Sequence, residues 1–292
     1  MHASNETSPF VCKFLSGDSI EIAHRKFVEA FSDYFISFQL SEQQFRNHIA
    51  LNAVDINRSI GCFDGGELVG LSLNGFGDWN GVPTVYDAGT GVVPTHRRRG
   101  LSEMMFRTML PLFKDSGYRQ CLLEVLSQNV PAIRLYEKLG FESTRSLYLM
   151  QAATLKADVP APRGIVFREI ENPDMKRLAA LGDGCPSWQN SSEAVERSIL
   201  MKRVIGAFDG DECVGYIAFS AGVGRLAQIA VRPDRRRRGI ATKLLAEMQT
   251  DTRPGHNMQV INIDARLSES VGFFRNRGFD VTLEQYEMLK VL

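Results

Sequence analysis

The sequence predicts an α/β fold arranged as two tandem domains, and three observations support this prediction. The chain has 292 residues, more than one domain of ordinary size contains. Segments typical of strands alternate with segments whose apolar residues have helical spacing. A strand, a basic loop and a helix occur around Gly100 and again around Gly239. The predicted domains span residues 1–150 and 164–292, joined by a linker over 151–163 that contains two prolines.

Composition is that of a globular protein and argues against several classes of function. Hydrophobic residues make up 44% and charged residues 23% of the chain, and 34 basic residues balance 34 acidic ones. A neutral chain has no general attraction for nucleic acid or membranes, so neither is an expected partner. No apolar run approaches the roughly 18 residues of a membrane span, and residues 1–6 do not resemble a signal peptide. We therefore expect a cytoplasmic protein.

The cysteines are scattered along the chain and favour neither a disulfide framework nor a zinc site. They stand at Cys12, Cys62, Cys121, Cys185 and Cys213. An odd number without a C-x-x-C pair is typical of reduced thiols. The sequence therefore predicts no disulfide and no bound metal.

Strand and helix patterns follow the same order in both halves. In the first half, strands are predicted over 11–15, 59–63, 67–73, 85–93 and 120–126, and helices over 19–35, 42–53, from 101 onward and over 129–139. In the second half, strands are predicted over 165–170, 203–208, 212–218 and 226–231, and helices over 174–181 and 192–200. Asp64-Gly65-Gly66 predicts a hairpin, and the Gly-rich stretch 74–83 is interpreted as a loop. Gly89 and Gly91 indicate a bulge, or a close approach by another backbone or a ligand.

The loop Pro94 to Gly100 has the properties of a phosphate cradle. It opens a helix, whose first N–H groups have no partner within the helix and lie at the positive end of its dipole. Gly100 lets an anion approach the backbone, and Ser102 is small. Three arginines, 97–99, supply donors suited to phosphate. The loop therefore predicts a site for phosphate or pyrophosphate.

These motifs resemble those of the GNAT N-acyltransferase superfamily. Arg97-x-x-Gly100-x-Ser102 and Arg236-x-x-Gly239-x-Ala241 are similar to its pyrophosphate signature, Gln/Arg-x-x-Gly-x-Gly/Ala, from which Ser102 departs. Asn129-x-x-Ala132-x-x-Leu135-Tyr136-x-Lys138-x-Gly140-Phe141 is similar to its second motif. The resemblance covers nearly the whole chain as two copies. It implies two tandem GNAT folds, each with a mixed, mostly antiparallel central sheet flanked by helices.

The resemblance also implies a co-substrate but does not specify the acceptor, which is our own expectation from acyl-transfer chemistry. The co-substrate is an acyl-CoA, most simply acetyl-CoA, and the acceptor is a primary amine on a small molecule, a peptide or a protein N-terminus. Phe31, Tyr34, Phe35 and Phe38 either line the acceptor pocket or are ordinary core aromatics. The implied cofactor-binding residues are Val92, Val93, Arg97, Arg98, Arg99, Gly100, Leu101, Ser102, Asn129 and Tyr136 in the first half, and Val231, Arg236, Arg237, Arg238, Gly239 and Ala241 in the second.

Two residues of the first half are candidates for acid–base chemistry. Glu124 stands alone in an apolar strand, where a buried carboxylate is costly unless it is paired or functional, and Tyr136 follows 12 positions later. This segment is similar to the ribosomal-protein alanine N-acetyltransferase branch, which implies that Glu124 is the general base and Tyr136 the general acid. Alternatively, Glu124 is a salt-bridged strand residue, Tyr136 a core aromatic and Asn129 a helix cap. Asp87 is a rival base.

The second half differs from the first where the chemistry is expected. Aligning Gly278 with Gly140 places Phe274 at the position of Tyr136, Asn262 at that of Glu124 and Leu267 at that of Asn129. The second half is therefore predicted to fold like the first and to lack its acid–base pair, although Asp264 is a possible different base. An alternative for the whole chain is a non-catalytic acyl-CoA sensor or scaffold. The sequence predicts no oligomeric state.

Overall fold

The computed structural model describes residues 10–17, 20–34, 39–156, 160 and 162–292. They form two compact units, each built from more than one segment of the chain. Unit 1 comprises Met1–Glu124, Val130–Glu142 and Met288–Leu292, and unit 2 comprises Val125–Asn129 and Ser143–Glu287. Short segments at 125–129 and 288–292 therefore belong to the unit that does not contain their sequence neighbours. No helix in these described ranges is long and apolar enough to cross a bilayer.

Unit 1 contains a mixed sheet with helices on both faces. Its elements are β1 (Phe10–Phe14), α1 (Ile20–Ala30), α2 (Glu42–Leu51), β2 (Ile60–Asp64), β3 (Glu67–Trp79), β4 (Val82–Val92), α3 (Leu101–Asp115), β5 (Gln120–Leu126) and α4 (Val130–Lys138). Strands β1 to β4 pair antiparallel in chain order, and β5 pairs parallel to β4. The predicted mixed, mostly antiparallel sheet is confirmed for this unit.

The two faces of the sheet can be told apart along β3. An added Cβ at Gly75 would collide with the backbone of Asn52, at the end of α2. The next residue, Phe76, packs against Phe113 of α3, with ring centroids 5.4 Å apart. Because neighbouring side chains of a strand point to opposite faces, α2 and α3 cover opposite faces of the sheet.

Strand β4 carries the bulge that its glycines predict. The pairing with β3 runs from Asn74–Asp87 directly to Leu73–Gly89, so Ala88 is an extra residue in β4. An added Cβ at Gly89 would lie 2.8 Å from the ring of Phe27, and one at Gly91 would lie 2.9 Å from Ala30, both on α1. The glycines therefore serve the close packing of a helix against the bulged strand.

The prediction of a loop over 74–83 is wrong. Strand β3 continues to Trp79, β4 begins at Val82, and the two pair from Gly70–Val92 to Trp79–Val82. Asn80 and Gly81 form the turn, with φ values of 54° and 77°. Asn-Gly with positive φ at both positions is the usual two-residue hairpin turn, so a hairpin signal was present in the sequence.

Unit 2 repeats this arrangement. Its elements are β6 (Glu142–Ala152), β7 (Ile165–Glu169), α5 (Met175–Ala179), α6 (Ser192–Arg197), β8 (Lys202–Asp209), β9 (Glu212–Ser220), β10 (Arg225–Val231), α7 (Ile240–Asp251), β11 (Met258–Asp264), α8 (Ser268–Asn276) and β12 (Asp280–Val291). The first residue of β6 and the last four residues of β12 are assigned to unit 1. Strands β7 to β10 pair antiparallel, and β11 pairs parallel to β10 and antiparallel to β6. Strand β6 includes residues 151 and 152 of the predicted linker, and the domain boundaries stay a prediction.

The prediction that all cysteines are reduced thiols is wrong for one pair. Cys12 of β1 and Cys62 of β2 form a disulfide. They are directly opposite in the antiparallel register, and their Cα atoms are 4.2 Å apart. Such adjacency suits a disulfide, and a separation of 50 residues hides it in the sequence. Cys121, Cys185 and Cys213 are free.

Removing this disulfide is expected to lower the free energy of unfolding by about 4 kcal/mol, since it closes a loop of roughly 50 residues in the unfolded chain. The test is urea denaturation of the Cys12→Ala/Cys62→Ala variant and the unmodified protein in non-reducing buffer. Cys185→Ala, which removes a half-buried free thiol, is the control and should leave the midpoint nearly unchanged. Equal midpoints for the double variant and the unmodified protein would contradict the expectation.

Candidate active site

A gap opens in the sheet of unit 1 beside the bulge. Strands β4 and β5 pair from Thr84–Gln120 to Asp87–Leu123, yet β4 continues to Val92 and β5 to Leu126. Beyond Asp87 the outer edge of β4 therefore has no partner in β5. A narrow ligand can lie against such an edge and use its backbone groups.

Glu124 is the first residue of β5 beyond the last paired position. Its half-buried carboxylate accepts a hydrogen bond from the hydroxyl of Tyr86, 2.7 Å from Oε2. Tyr86 lies opposite Gly75, which faces α2, so Glu124 and Tyr86 lie on the α2 side of the sheet. Tyr86 was not among the predicted site residues.

Tyr136 lies on the other side of the sheet. Its ring packs against Phe106 of α3, with centroids 5.5 Å apart, and against Phe141. Burial raises the pKa of the phenol well above its usual value, and the nearby carboxylate of Asp87 raises it further. The phenol therefore keeps its proton at neutral pH. Glu124 and Tyr136 thus lie on opposite faces of the sheet near the same gap.

Asp87, the rival base, is buried in the bulge of β4. Its carboxylate accepts hydrogen bonds from the backbone N–H of Gly89 at 3.0 Å and from the hydroxyl of Thr90 at 2.9 Å. Burial raises the pKa of Asp87 to about 6, although these two donors oppose the shift. His48 of α2 holds the bulge from the other face, because its Nε2 lies 2.8 Å from the carbonyl oxygen of Ala88. Asp87 and His48 both contact the bulge that borders the gap.

The raised pKa of Asp87 predicts how stability depends on pH. The folded protein holds this proton more tightly than the unfolded chain does, so protonation of Asp87 contributes to the free energy of unfolding. This contribution is fully present below about pH 4 and is lost as the pH rises through about 6. The free energy of unfolding should therefore fall with rising pH, and Asp87→Asn should remove up to about 3 kcal/mol of that fall. Urea denaturation between pH 4 and 7.5 measures it, with exposed Asp115→Asn as the control. Parallel pH curves for Asp87→Asn and the unmodified protein would contradict the prediction.

The first cradle joins β4 to α3 through two residues with left-handed backbone. Residues Pro94–His96 form a 3₁₀ turn, Arg98 has a φ of 61°, and Gly100 precedes α3 with a φ of 75°. An added Cβ at Gly100 would meet nothing within 4 Å. The space in front of the first N–H groups of α3, at Leu101 and Ser102, is therefore open to an anion.

The backbone groups of Val92 and Val93 have different surroundings. The N–H of Val93 donates to Val69 of β3, and its carbonyl accepts from His96. Both groups of Val93 are therefore used within the protein. Since backbone groups alternate between the two edges of a strand, those of Val92 point to the unpaired edge, where the carbonyl accepts from Nε of Arg97 at 3.2 Å.

The second cradle reproduces the first closely. Residues Pro233–Arg235 form the 3₁₀ turn, Arg237 has a φ of 62°, and Gly239 precedes α7 with a φ of 85°. Strand β10 has the same extra residue, Ala227, and its pairing with β11 ends at Leu226–Val260. The matched sequences therefore produce matched backbones.

A cavity of about 950 Å³ lies next to the second cradle within unit 2. Its lining includes the tip of the cradle, the start of α7 and most of α8. Among the lining residues are Val231, Arg236, Arg237, Gly239, Ala241 and Phe273. The size is within the range of small-molecule and cofactor sites.

The candidate acid–base residues of unit 1 are replaced by apolar residues at the matching described positions of unit 2. Phe274 is buried where Tyr136 would be. Ile261 directly follows the last paired residue of β11, so it is Ile261, and not Asn262, that has the strand position of Glu124. Asp264 is a poor base, because hydrogen bonds from Arg266 and Arg145 lower its pKa to about 2 despite its burial.

The remaining predicted residues are placed as follows. Asn129 lies in the turn directly before α4, where its N–H donates to the carbonyl of Leu126. Arg99 lies over the ring of Phe10, and Arg238 donates to the carbonyl of Asp234. Phe31 and Tyr34 pack edge to face at the end of α1, whereas Phe35 and Phe38 are outside the described residues.

Comparison with known families assigns both halves of the chain. Residues 24–141 match the acetyltransferase (GNAT) family, and residues 182–290 match an acetyltransferase (GNAT) domain. Together the two matches cover more than half of the chain. The chain is a tandem GNAT protein.

Two acetyltransferases are similar to part of this chain. Streptothricin acetyltransferase of Streptomyces lavendulae is 32% identical over 76 residues, which are 26% of this chain and 39% of the relative. Human N-acetyltransferase 8 is 32% identical over 62 residues, 21% of this chain and 27% of the relative. The chain thus spans well under half the length of either. A tandem GNAT protein of the clavulanic acid biosynthesis pathway matches 97% of this chain and 98% of its own, with a TM-score of 0.72 and 15% identity, and it supports the fold alone.

For this tandem GNAT protein, the ribosomal-protein alanine branch stays a prediction. The motif residues that indicated the superfamily lie in the cradle and around the gap. Tyr86 and His48 were missed, because one precedes the bulge and the other lies on a separate helix. No sequence pattern distinguishes Tyr86 or His48 from an ordinary core residue.

Proposed function

We propose that this chain is an acyl-CoA-dependent N-acetyltransferase in which acetyl passes directly from acetyl-CoA to a primary amine. The supporting observation is the placement of Glu124 and Tyr136 on opposite faces of the sheet beside one gap. Direct attack needs a base where the amine arrives and an acid where the thiolate leaves. A thioester lying in the gap would have these two groups on its two sides.

The roles of the two residues follow from their surroundings. Glu124 accepts a proton from the ammonium group of the acceptor, so that the free amine attacks the thioester carbonyl, and the hydroxyl of Tyr86, 2.7 Å away, orients the Glu124 carboxylate. Tyr136 supplies a proton to the departing thiolate, since its phenol is protonated at neutral pH. Asp87 is less suited to be the base, because it lies on the α3 side and already accepts hydrogen bonds from Gly89 and Thr90.

The first cradle fits the pyrophosphate of acetyl-CoA. The open space at Gly100, the free first turn of α3 and the exposed Arg98 and Arg99 are a suitable donor set for a dianion. The unpaired edge of β4 at Val92 would bind the pantetheine arm through its backbone. Acetyl-CoA brings the activated acyl group, and the chain provides binding, orientation and proton transfer.

The acceptor is a primary amine on a small molecule or a peptide. A relative named for streptothricin acetylation favours the small molecule.

We assign catalysis to the first domain, predicted over 1–150. The second, over 164–292, lacks the acid–base pair and keeps a cradle and a cavity that suit an acyl-CoA. A non-catalytic acyl-CoA sensor is the second candidate function. It is favoured by the cavity of unit 2, because that unit lacks the acid–base pair. A cytoplasmic location remains our proposal.

The experiment is calorimetric titration of acetyl-CoA into the full chain, followed by an assay for released thiol with a panel of amines that includes streptothricin, polyamines and short peptides. Binding of acetyl-CoA together with amine-dependent thiol release would support the proposed N-acetyltransferase function. Binding without release for any amine would favour the sensor, and absence of binding would contradict both.

A further inference from the structure

The residue that follows the bulge differs between the two units. In unit 1 it is Gly89, which has no side chain, and in unit 2 it is Gln228, which is buried. The Oε1 of Gln228 accepts a hydrogen bond from the hydroxyl of Tyr216 at 2.6 Å, and its Nε2 donates to the backbone carbonyl of Asn190 at 2.7 Å. The amide is therefore held at both ends beside the gap of unit 2.

Asn190 continues this network across the gap. It is the last residue of the 3₁₀ turn Trp188–Asn190 and is buried. Its Nδ2 donates to the carbonyl oxygen of Ile261 at 2.6 Å. Ile261 is the first residue of β11 beyond the last paired position, as Glu124 is in β5. Gln228 and Asn190, which we call the strap, therefore join β10 to β11 where their backbone pairing has ended.

The cavity of unit 2 ends where the strap begins. Along β10 its lining covers residues 229–231, and its other walls come from the cradle, α7 and α8. Among the described residues, the lining includes neither Gln228 nor Asn190. The strap lies on the other face of the sheet, because its partner Tyr216 packs in one cluster with residues of α5 and α6. The cavity thus has room beside the cradle and along β10, whereas the strap closes the way through the gap.

This arrangement separates free CoA from its thioesters. The two differ only beyond the sulfur atom, and in unit 1 we place the thioester itself in the gap. An acyl group in the gap of unit 2 would have to displace the strap. That would leave the amide of Gln228 and the carbonyl of Ile261 buried without partners, which is costly. Free CoA needs only the cradle and the edge of β10.

We propose that the second cradle is a binding site for free CoA, from which the strap of Gln228 and Asn190 excludes the acyl group of an acyl-CoA. This inference rests on the proposed function, because it takes both cradles as sites for the CoA part of the ligand, and it narrows the ligand of unit 2 to the thiol that acyl transfer releases. The affinity of unit 2 therefore falls as the acyl group lengthens. A site with this preference responds to the product of the reaction and not to its co-substrate.

Calorimetry with the full-length Gly100→Glu variant tests the preference, because the new carboxylate blocks the first cradle. The titrants are CoA, acetyl-CoA and butyryl-CoA, in a buffer with a phosphine reductant that keeps CoA as the thiol. CoA should bind at least about tenfold more tightly than acetyl-CoA, the scale of two buried hydrogen bonds, and butyryl-CoA should bind more weakly still. The Gly239→Glu variant, which leaves only the first cradle, should show no penalty for the acetyl group.

Removing the strap in the Gly100→Glu background tests its role. Asn190→Ala combined with Gln228→Gly deletes both side chains and gives unit 2 the residue that unit 1 has after its bulge. The preference for CoA over acetyl-CoA should then shrink to less than about threefold. Gln249→Ala is the matched control and should keep the preference, since it removes a half-buried glutamine that accepts from the N–H of Leu155 at 2.6 Å near the far end of α7.

Urea denaturation establishes that the strap variant is folded. If the double substitution prevents folding, Asn190→Ala alone removes the hydrogen bond to Ile261 and should still lessen the preference. Equal affinities for CoA and acetyl-CoA in Gly100→Glu would overturn the proposal, as would an unchanged preference in a folded strap variant. Loss of all binding in Gly100→Glu, with binding by the unmodified protein intact, would also overturn it. Absence of binding by the unmodified protein would instead refute the proposed function.

Discussion

Tyr136→Phe is expected to lower kcat by about 10² to 10⁴-fold, the range for loss of a general acid, with little change in acetyl-CoA affinity. Phenylalanine keeps the packing of the ring against Phe106 and Phe141, so the fold should tolerate the change. What is lost is the phenolic proton, which the raised pKa of Tyr136 otherwise keeps in place. Steady-state kinetics with any amine found in the thiol-release screen measures the effect.

Glu124→Gln should lower kcat on a similar scale and for a separate reason. The amide is nearly isosteric with the carboxylate and can still meet the hydroxyl of Tyr86, but it cannot accept a proton at neutral pH. Tyr86→Phe is the companion variant. It keeps the base and removes only the orienting hydrogen bond of 2.7 Å, so its effect should be smaller than that of Glu124→Gln.

Asp87→Asn distinguishes the two candidate bases. If Glu124 is the base, Asp87→Asn should affect binding and stability more than kcat, because its carboxylate holds the bulge through Gly89 and Thr90. Loss of kcat in Asp87→Asn with normal turnover in Glu124→Gln would reverse the assignment. Normal turnover in both Glu124→Gln and Tyr136→Phe would refute the proposed mechanism.

Much of the fold could be predicted, because local patterns indicated the strands and helices and an internal repeat indicated two similar domains. The strand, basic loop and helix around Gly100 and Gly239 became the same backbone twice, including the left-handed residues Arg98 and Arg237. The bulge at Ala88 was indicated by Gly89. The hairpin at Asn80-Gly81 was missed because a polar, Gly-rich stretch was interpreted by composition instead of by its turn residues.

The relations between distant residues could not be predicted from one sequence. The Cys12–Cys62 disulfide depends on the register of β1 against β2, which local patterns do not determine. Asp264 looked like a possible base until its two arginine partners were placed beside it. The pairing of the Arg97 guanidinium with Asp33 was not foreseen, and a phosphate contact by Arg97 stays a prediction. In each case the contact depends on a residue of another element, or on the orientation of a side chain, and local sequence patterns determine neither.

Gly100→Glu is expected to weaken acetyl-CoA binding by roughly 100-fold or more, since lost backbone hydrogen bonds and a like charge together cost about 3 kcal/mol. The open space around Gly100 would receive the new carboxylate, which would occupy the anion position at the start of α3. Gly117→Glu is the matched control. It adds the same side chain at a left-handed glycine, with a φ of 90° and open surroundings, beyond the far end of α3.

Gly239→Glu extends the same test to unit 2, where the cavity of about 950 Å³ suits a second acyl-CoA. Calorimetry should show one site lost in each variant if both cradles bind, and turnover should fall with Gly100→Glu alone, since Phe274 replaces the acid in unit 2. A protein whose binding survives Gly100→Glu and disappears with Gly239→Glu would place the acyl-CoA in the unit without the acid–base pair. That result would favour the sensor over the enzyme, because the only cradle in use would then lie apart from Glu124 and Tyr136.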